Sequence, residues 1–257
     1  MRSYFADQYN MVTVQCNYFG WEFMQYDVFE ETKENFNDMG PMQALDNIFS
    51  VIMISEILKD NNLIFNASKI VSYGHSHGAY LSYLSNIFAP GLYNLIIDNS
   101  SWLYPVYLLS DRYLNIGDSQ NIFHYFIRSF EDIDLDIYNL TFLYKHFRNK
   151  CTIHSFHGTE DSLIRYQDKE KLCLPMKKCF LHKVGHSNIN DVFKSPGHGV
   201  DADYLKLFDL VMENYNISFN KSTDIVIPNH RIETKNCSYL FDFKNKIPVL
   251  TREEKYI

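Results

Sequence analysis

The stretch from Ile70 to Leu81, Ile-Val-Ser-Tyr-Gly-His-Ser-His-Gly-Ala-Tyr-Leu, constrains this chain more than any other. An apolar, β-branched run leads into Gly74-His75-Ser76-His77-Gly78, and the residues from Ala79 to Leu84 suit a helix. A strand that turns straight into a helix through Gly-x-Ser-x-Gly forms a nucleophile elbow. The five-residue pattern alone also occurs as a plain small-residue turn; the strand before it and the helix after it favour the elbow. In so tight a turn, side chains two before and two after the serine would meet the neighbouring backbone, and this reading gives Gly74 and Gly78 the role of removing them. Ser76 is then expected in a strained backbone conformation, with its hydroxyl at the top of a sheet. The amide of His77, at the first turn of the helix, is the expected oxyanion donor.

Strands and helices alternate around this element. Met11 to Tyr18 alternates and is β-rich, which reads as a strand entering the sheet, with a turn at Tyr18-Phe19-Gly20-Trp21. Residues 27–41 are polar and acidic and read as a surface loop. Gln43 to Asp60 carries Leu45, Ile48, Phe49, Ile52, Ile57 and Leu58 at helical spacing, as a crossover before the elbow strand should. Tyr93 to Asp98 is nearly all apolar, the pattern of a strand buried on both faces. Asn99-Ser100-Ser101-Trp102 follows at its C-terminal end, where open α/β sheets bind ligands, so Trp102 is either a pocket wall or a packed core indole. Residues 103–149 show no clear strand and are rich in Tyr and Phe; they read as a helical cap, or as one long crossover helix with a decorated loop. Cys151 to Gly158 and Lys178 to Val184 are the remaining sheet strands, and Val200 to Tyr215 is an amphipathic helix. Beyond residue 217 the character changes, with short strands at Ile225 to Pro228 and Tyr239 to Phe243. The expected organisation is an α/β domain over 1–216, with 103–149 as its insert, and a C-terminal extension over 217–257.

The chemistry-bearing residues follow separate strands. A serine hydroxyl needs an adjacent base, and imidazole titrates in the right range. The imidazole in turn needs a carboxylate to fix its tautomer. Asp161, in the loop after His157-Gly158, is the candidate acid, with Glu160 as the weaker neighbour. A loop carboxylate capping the helix that starts near Arg165 is the competing structural reading. Two Gly-His pairs offer a base: His198 in Gly197-His198-Gly199, whose glycines let the loop bend, and His186 as the alternate, directly after the last strand. His198 is favoured, and the other histidine becomes a surface loop residue. A metal reading fails on spacing: His75 and His77 diverge at an elbow, His154 and His157 fall on opposite faces of a strand, and no third ligand is suitably spaced.

With these residues in view, residues 11–216 resemble the α/β-hydrolases. The resemblance implies a mostly parallel sheet, a Ser, acid, His order and hydrolysis of a small acyl substrate, with no cofactor. The strand ending in His157-Gly158 followed by Asp161 resembles the segment that supplies their acid. His198 ahead of a terminal helix resembles the prolyl-oligopeptidase-like members. Asn17-Tyr18-x-Gly20 resembles the end of their fourth strand. On that match the sheet lacks its N-terminal strands and the loop that usually supplies a second oxyanion donor. A complementary N-terminal chain or self-association would then cover the open edge. More loosely, the Asn-, Tyr- and Phe-rich style resembles a bacterial hydrolase-like family, domain of unknown function 2920. The expected activity is that of a serine hydrolase on an ester, less readily an amide or thioester. The alternative is a weak or inactive hydrolase-like fragment that binds a partner or forms half of a split protein.

Composition narrows the partners. Hydrophobic residues make up 46% and aromatic residues 16%, enough for a ring-rich core. A formal net charge of −7 argues against a nucleic-acid partner. No apolar run approaches the ~20 residues of a membrane span, and the first residues carry no apolar core of a secretion signal. Five scattered cysteines read as reduced thiols in a cytoplasmic chain.

Overall fold

The computed structural model describes residues 2–17, 32, 37–116, 119–130, 133–215, 217–245 and 247–255. Helices α1 (Arg2–Tyr9) and α2 (Pro41–Asp60) precede β1 (Val71–His75), α3 (His77–Phe88) and β2 (Leu95–Asn99). A hairpin of β3 (Arg112–Ile116) and β4 (Ser119–Phe123) and the short α4 (Leu140–His146) come next. Then follow β5 (Thr152–Gly158), α5 (Tyr166–Cys173), β6 (Cys179–Val184) and α6 (Tyr204–Asn214), and last β7 (His230–Glu233), β8 (Cys237–Asp242) and β9 (Val249–Glu254). Strands β1, β2, β5 and β6 form one parallel sheet in that spatial order.

Period-two alternation divides the sheet's side chains between two cores. Ile96 of β2 and Ile153 of β5 face the larger core, with α2, α3 and the C-terminal strands. Leu95 and Ile97 of β2 and Phe156 of β5 face the smaller one, with Phe5 of α1 and Leu207, Phe208 and Val211 of α6. Helix α3 lies between the sheet and α2 and is buried from Ala79 to Phe88, which is why it is apolar on all sides rather than amphipathic. The C-terminal strands form an antiparallel sheet that packs back on α3, with Phe241 stacked on Phe88 at 4.4 Å.

The structure departs from the sequence reading in several elements. Of the strand expected over Met11 to Tyr18, residues 11–17 have no regular secondary structure. Val12 and Val14 are exposed while Met11 packs partly buried on the smaller core, and without a ladder partner among the described residues the alternation makes no strand. Tyr18 and the turn at Phe19, Gly20 and Trp21 lie outside the described residues, as does most of the loop at 27–41. The insert at 103–149 is not helical throughout: it holds 3-10 turns, the β3–β4 hairpin and α4. Its Tyr and Phe residues suit a hairpin as well as a helix. Ile225 to Ile227 is irregular, and the first C-terminal strand lies at β7 instead. Residues 198–201 form a separate turn ahead of α6, which begins at Tyr204. Among the described residues, no helix is long and apolar enough to cross a membrane.

Candidate active site

Ser76 sits between β1 and α3 with φ 54° and ψ −116°. A non-glycine residue in such a conformation costs of order 1–3 kcal/mol and persists only where its surroundings impose it. Here the Ser76 N–H donates to the Asn99 carbonyl at 2.8 Å, and the Ser76 carbonyl accepts from Tyr80 N–H at 3.1 Å. Gly74 is obligatory, because a Cβ there would lie 2.4 Å from the Ala79 nitrogen. Gly78 is not: a Cβ at that position meets nothing within 4 Å, so its expected steric role is corrected.

His198 reaches Ser76 on a loop that crosses the end of β5. The crossing depends on Gly158, where a Cβ would fall 2.1 Å from the Pro196 carbonyl oxygen. After His198 the backbone is left-handed at Gly199, Val200 and Asp201, with φ of 75°, 46° and 42°. For a β-branched residue this is a genuine outlier. Burial of Val200 in the smaller core and hydrogen bonds from Lys194 and Ser195 N–H to its carbonyl hold it there. The Asn99 side chain donates to the Gly199 carbonyl at 3.0 Å. Asn99 therefore grips the elbow with its backbone and the histidine loop with its side chain.

The result is a continuous polar chain. Ser76 Oγ lies 2.7 Å from His198 Nε2, and His198 Nδ1 lies 2.8 Å from Asp161 Oδ2. An ionised carboxylate only accepts, so His198 donates from Nδ1 and presents Nε2 to Ser76 as an acceptor. The other Asp161 oxygen accepts from Leu163 N–H at 2.9 Å and Ile164 N–H at 3.0 Å. Asp161 thus caps its own loop and faces the imidazole as well. Burial pushes its carboxyl up, but the hydrogen bonds from His198 and from the loop amides outweigh burial and hold it below the ordinary value. His157, fully buried, donates from Nε2 to the Ile164 carbonyl at 2.8 Å and braces the same loop.

His186 lies elsewhere, exposed and 2.8 Å from Glu160 Oε1 in a surface pair. His77 opens α3, so its N–H belongs to the donors of the first helical turn. Its ring packs on Trp102 at 4.9 Å, and Trp102 meets Tyr107 of the insert at 5.3 Å. His154 and His157 point apart, His154 to His182 at 3.0 Å. Among the described residues, no group of three or more metal-ligating side chains comes together.

Sequence reasoning passed over Asn99, His157 and a buried ion pair beneath the site. Lys169 Nζ lies 2.5 Å from Asp98 Oδ2, both fully buried, and also donates to Ser101 Oγ. Asp98 accepts from Tyr83 Oη at 2.9 Å and from Ser101 N–H at 2.8 Å, which pins the turn leading to Trp102. Burial pushes the Asp98 carboxyl up, and the Lys169 charge together with the hydrogen bonds from Lys169, Ser155 and the Ser101 amide more than reverses that. The one readable signal was Asp98 itself, a single charge closing an apolar run. Nothing set Lys169 apart from its neighbours in the polar helix α5.

A parallel sheet in which one strand turns through a glycine-flanked serine into a buried helix, with a histidine and a carboxylate arriving from loops after later strands, is an α/β-hydrolase-type fold. Residues 22–184, more than half of the chain, match the family described as "Protein of unknown function (DUF2920)", and the chain belongs to that family. No curated protein sequence matches it. Among solved structures it is similar to Est1E from Butyrivibrio proteoclasticus with ferulic acid bound, at 15% identity and a TM-score of 0.44, covering 67% of this chain and 66% of that one. The apo form of Thermogutta terrifontis esterase 2 is similar at 18% identity and a TM-score of 0.39, covering 66% and 64%. A predicted CIB-like hydrolase from Thermoplasma acidophilum is similar at 15% identity and a TM-score of 0.35, covering 64% and 57%. The chain therefore spans two thirds or less of these three proteins, and likenesses this distant say nothing of what it acts on.

Proposed function

We propose that this chain is a serine hydrolase that cleaves an ester of a small acyl group. The observation that carries the reading is the unbroken contact from Ser76 Oγ through His198 to Asp161, at 2.7 and 2.8 Å. In this mechanism His198 Nε2 takes the Ser76 proton as Oγ attacks the ester carbonyl carbon. Asp161 stabilises the imidazolium that forms, and the His77 N–H at the start of α3 receives the oxyanion. The tetrahedral intermediate collapses, the alcohol leaves with the proton from His198, and an acyl group stays on Ser76. Water, deprotonated by His198, then releases the acid and restores the serine.

A second reading, a hydrolase-like binding module with little turnover, is favoured by the outer side of β1 beside the elbow, which no strand pairs among the described residues. Hydrolysis of a nitrophenyl acyl ester separates the two. Turnover by the wild type that disappears in Ser76→Ala, with the melting temperature unchanged, supports the hydrolase. A folded wild type with no more turnover than Ser76→Ala supports the binding module.

A further inference from the structure

Lys169 and Asp98 are fully buried beneath the site and take no part in the proton path from Ser76 through His198 to Asp161. A buried ion pair is a costly way to fill space, since apolar side chains of the same volume often stabilise a fold as well or better. What a carboxylate has and an apolar group lacks is direction, because its oxygens accept along fixed lone pairs.

Asp98 uses that direction to join three elements. Its Oδ2 accepts from Tyr83 Oη at 2.9 Å, and Tyr83 lies on α3, the helix that starts at the nucleophile. The same oxygen meets Lys169 Nζ at 2.5 Å, and Lys169 lies on α5, which starts just after the loop that holds Asp161. Asp98 Oδ1 accepts from Ser101 N–H at 2.8 Å, and Lys169 reaches across to Ser101 Oγ. The Lys169 ammonium also lies 4.6 Å from the centre of the Tyr83 ring, so α3 and α5 meet directly.

The turn held in this way is the one that binds the nucleophile's backbone. The Asn99 carbonyl accepts from Ser76 N–H at 2.8 Å, and Trp102 N–H donates to the Ser76 carbonyl at 3.4 Å. Both peptide groups of the strained serine are therefore tied to residues 99–102. Between these contacts Ser100 is left-handed, at φ 56°, and its N–H donates to the Phe156 carbonyl at 2.9 Å. Trp102 then packs on the ring of His77, whose N–H is the proposed oxyanion donor. Loosening the turn at Ser101 would reach the nucleophile and the oxyanion donor together.

We infer that Asp98 and Lys169 are positioning residues for the hydrolysis proposed above: they hold the turn at residues 99–102, and through it Ser76 and the His77 N–H, in register with His198 and Asp161. Tyr83 is the arm to the helix of the nucleophile, Lys169 the arm to the helix of the acid, and Ser101 the arm to the turn. The inference rests on the hydrolase reading, and neither residue touches substrate.

The test is a set of three variants of the whole chain. Each is read by kcat and KM on a nitrophenyl acyl ester, by the rate of phosphonylation at Ser76 and by melting at mildly alkaline pH. Lys169→Met and the Asp98→Asn, Lys169→Met double variant keep the acceptor for Ser101 N–H and lose the arm to α5, so each should lose about tenfold in kcat and in phosphonylation rate. The Asp98→Leu, Lys169→Met double variant loses all three arms, and a displacement of ~1 Å at the nucleophile costs about a hundredfold in both rates. KM should stay within about threefold and circular dichroism unchanged throughout. Stability should run the other way. Lys169→Met strands a buried carboxyl without its cation and melts below Asp98→Leu, Lys169→Met, whose pair is apolar. A merely structural pair would give rates that follow melting, and that order overturns the inference. So does a kcat within about threefold of wild type in Asp98→Leu, Lys169→Met. If that variant does not fold, Asp98→Asn, Lys169→Met decides: a loss of about tenfold in kcat at unchanged circular dichroism supports the inference, and a smaller loss overturns it. A wild type without turnover defeats the hydrolase reading and the inference with it, whereas an active wild type with unaffected variants defeats the inference alone.

Discussion

Asn99→Ala separates the positioning of the site from the stability of the fold. Asn99 holds the elbow through its carbonyl, which survives the substitution, and the histidine loop through its side chain, which does not. The buried Gly199 carbonyl keeps the Ala202 N–H at 3.2 Å and loses the Asn99 side chain, one hydrogen bond worth about 0.5–1.5 kcal/mol. At roughly 2–4 °C per kcal/mol for a chain of this size, melting should fall by about 1–6 °C. The larger effect is geometric. The residues after His198 are left-handed at three successive positions, and each strained non-glycine residue stores about 1–3 kcal/mol that the loop relaxes when its tether goes. A displacement of ~1 Å at a reacting group costs about a hundredfold in rate. The variant should therefore lose about a hundredfold in kcat on a nitrophenyl ester with KM within a factor of three. A variant whose melting falls but whose kcat stays within threefold of wild type would refute the claim that Asn99 sets the meeting of Ser76 and His198.

His198→Ala should abolish ester turnover while His186→Ala leaves it intact, and the reverse result would move the base to the Glu160 pair at the surface. Gly74→Ala should prevent folding or cost several kcal/mol, because its Cβ would strike backbone, whereas Gly78→Ala, in open space on a helix, should raise stability by up to about 1 kcal/mol; chemical unfolding of both variants checks this. Asp38, at the start of α2, is buried, and burial pushes its carboxyl up to about 6 despite hydrogen bonds from the amides of Met42 and Gly40. Its folded value lies above its unfolded one, so the stability it contributes is complete below about pH 4 and is lost as pH rises through about 6. The loss is of order 3 kcal/mol, and urea unfolding across this range should show it in the wild type and not in Asp38→Asn.

The parts of this protein legible from sequence are those whose constraints are local. The elbow could be read because an apolar strand, a serine between glycines and a helix leave few other conformations. The strands at Leu95 and Thr152 could be read because burial on both faces makes them uniformly apolar. What sequence could not resolve depends on which distant backbones approach each other. Two Gly-His pairs follow β6, and only the approach of Pro196 to Gly158 shows which of them crosses toward Ser76. Gly78 fits the turn's steric logic by spacing alone, and only the fold shows that a Cβ there would meet nothing within 4 Å. Alternation at Met11 to Asn17 satisfies every local rule for a strand, but a strand needs a partner, and that is not a property of its own residues. Lys169 is an ordinary polar helix residue until the fold buries it against Asp98.

The most direct test of the central claim is the intact mass of the protein after reaction with a fluorophosphonate, followed by mapping of the modified peptide. The account predicts a single phosphonyl adduct on Ser76, fast in the wild type and absent from Ser76→Ala and His198→Ala. A well-folded wild type that takes up no adduct, or that carries it on another residue, would contradict it.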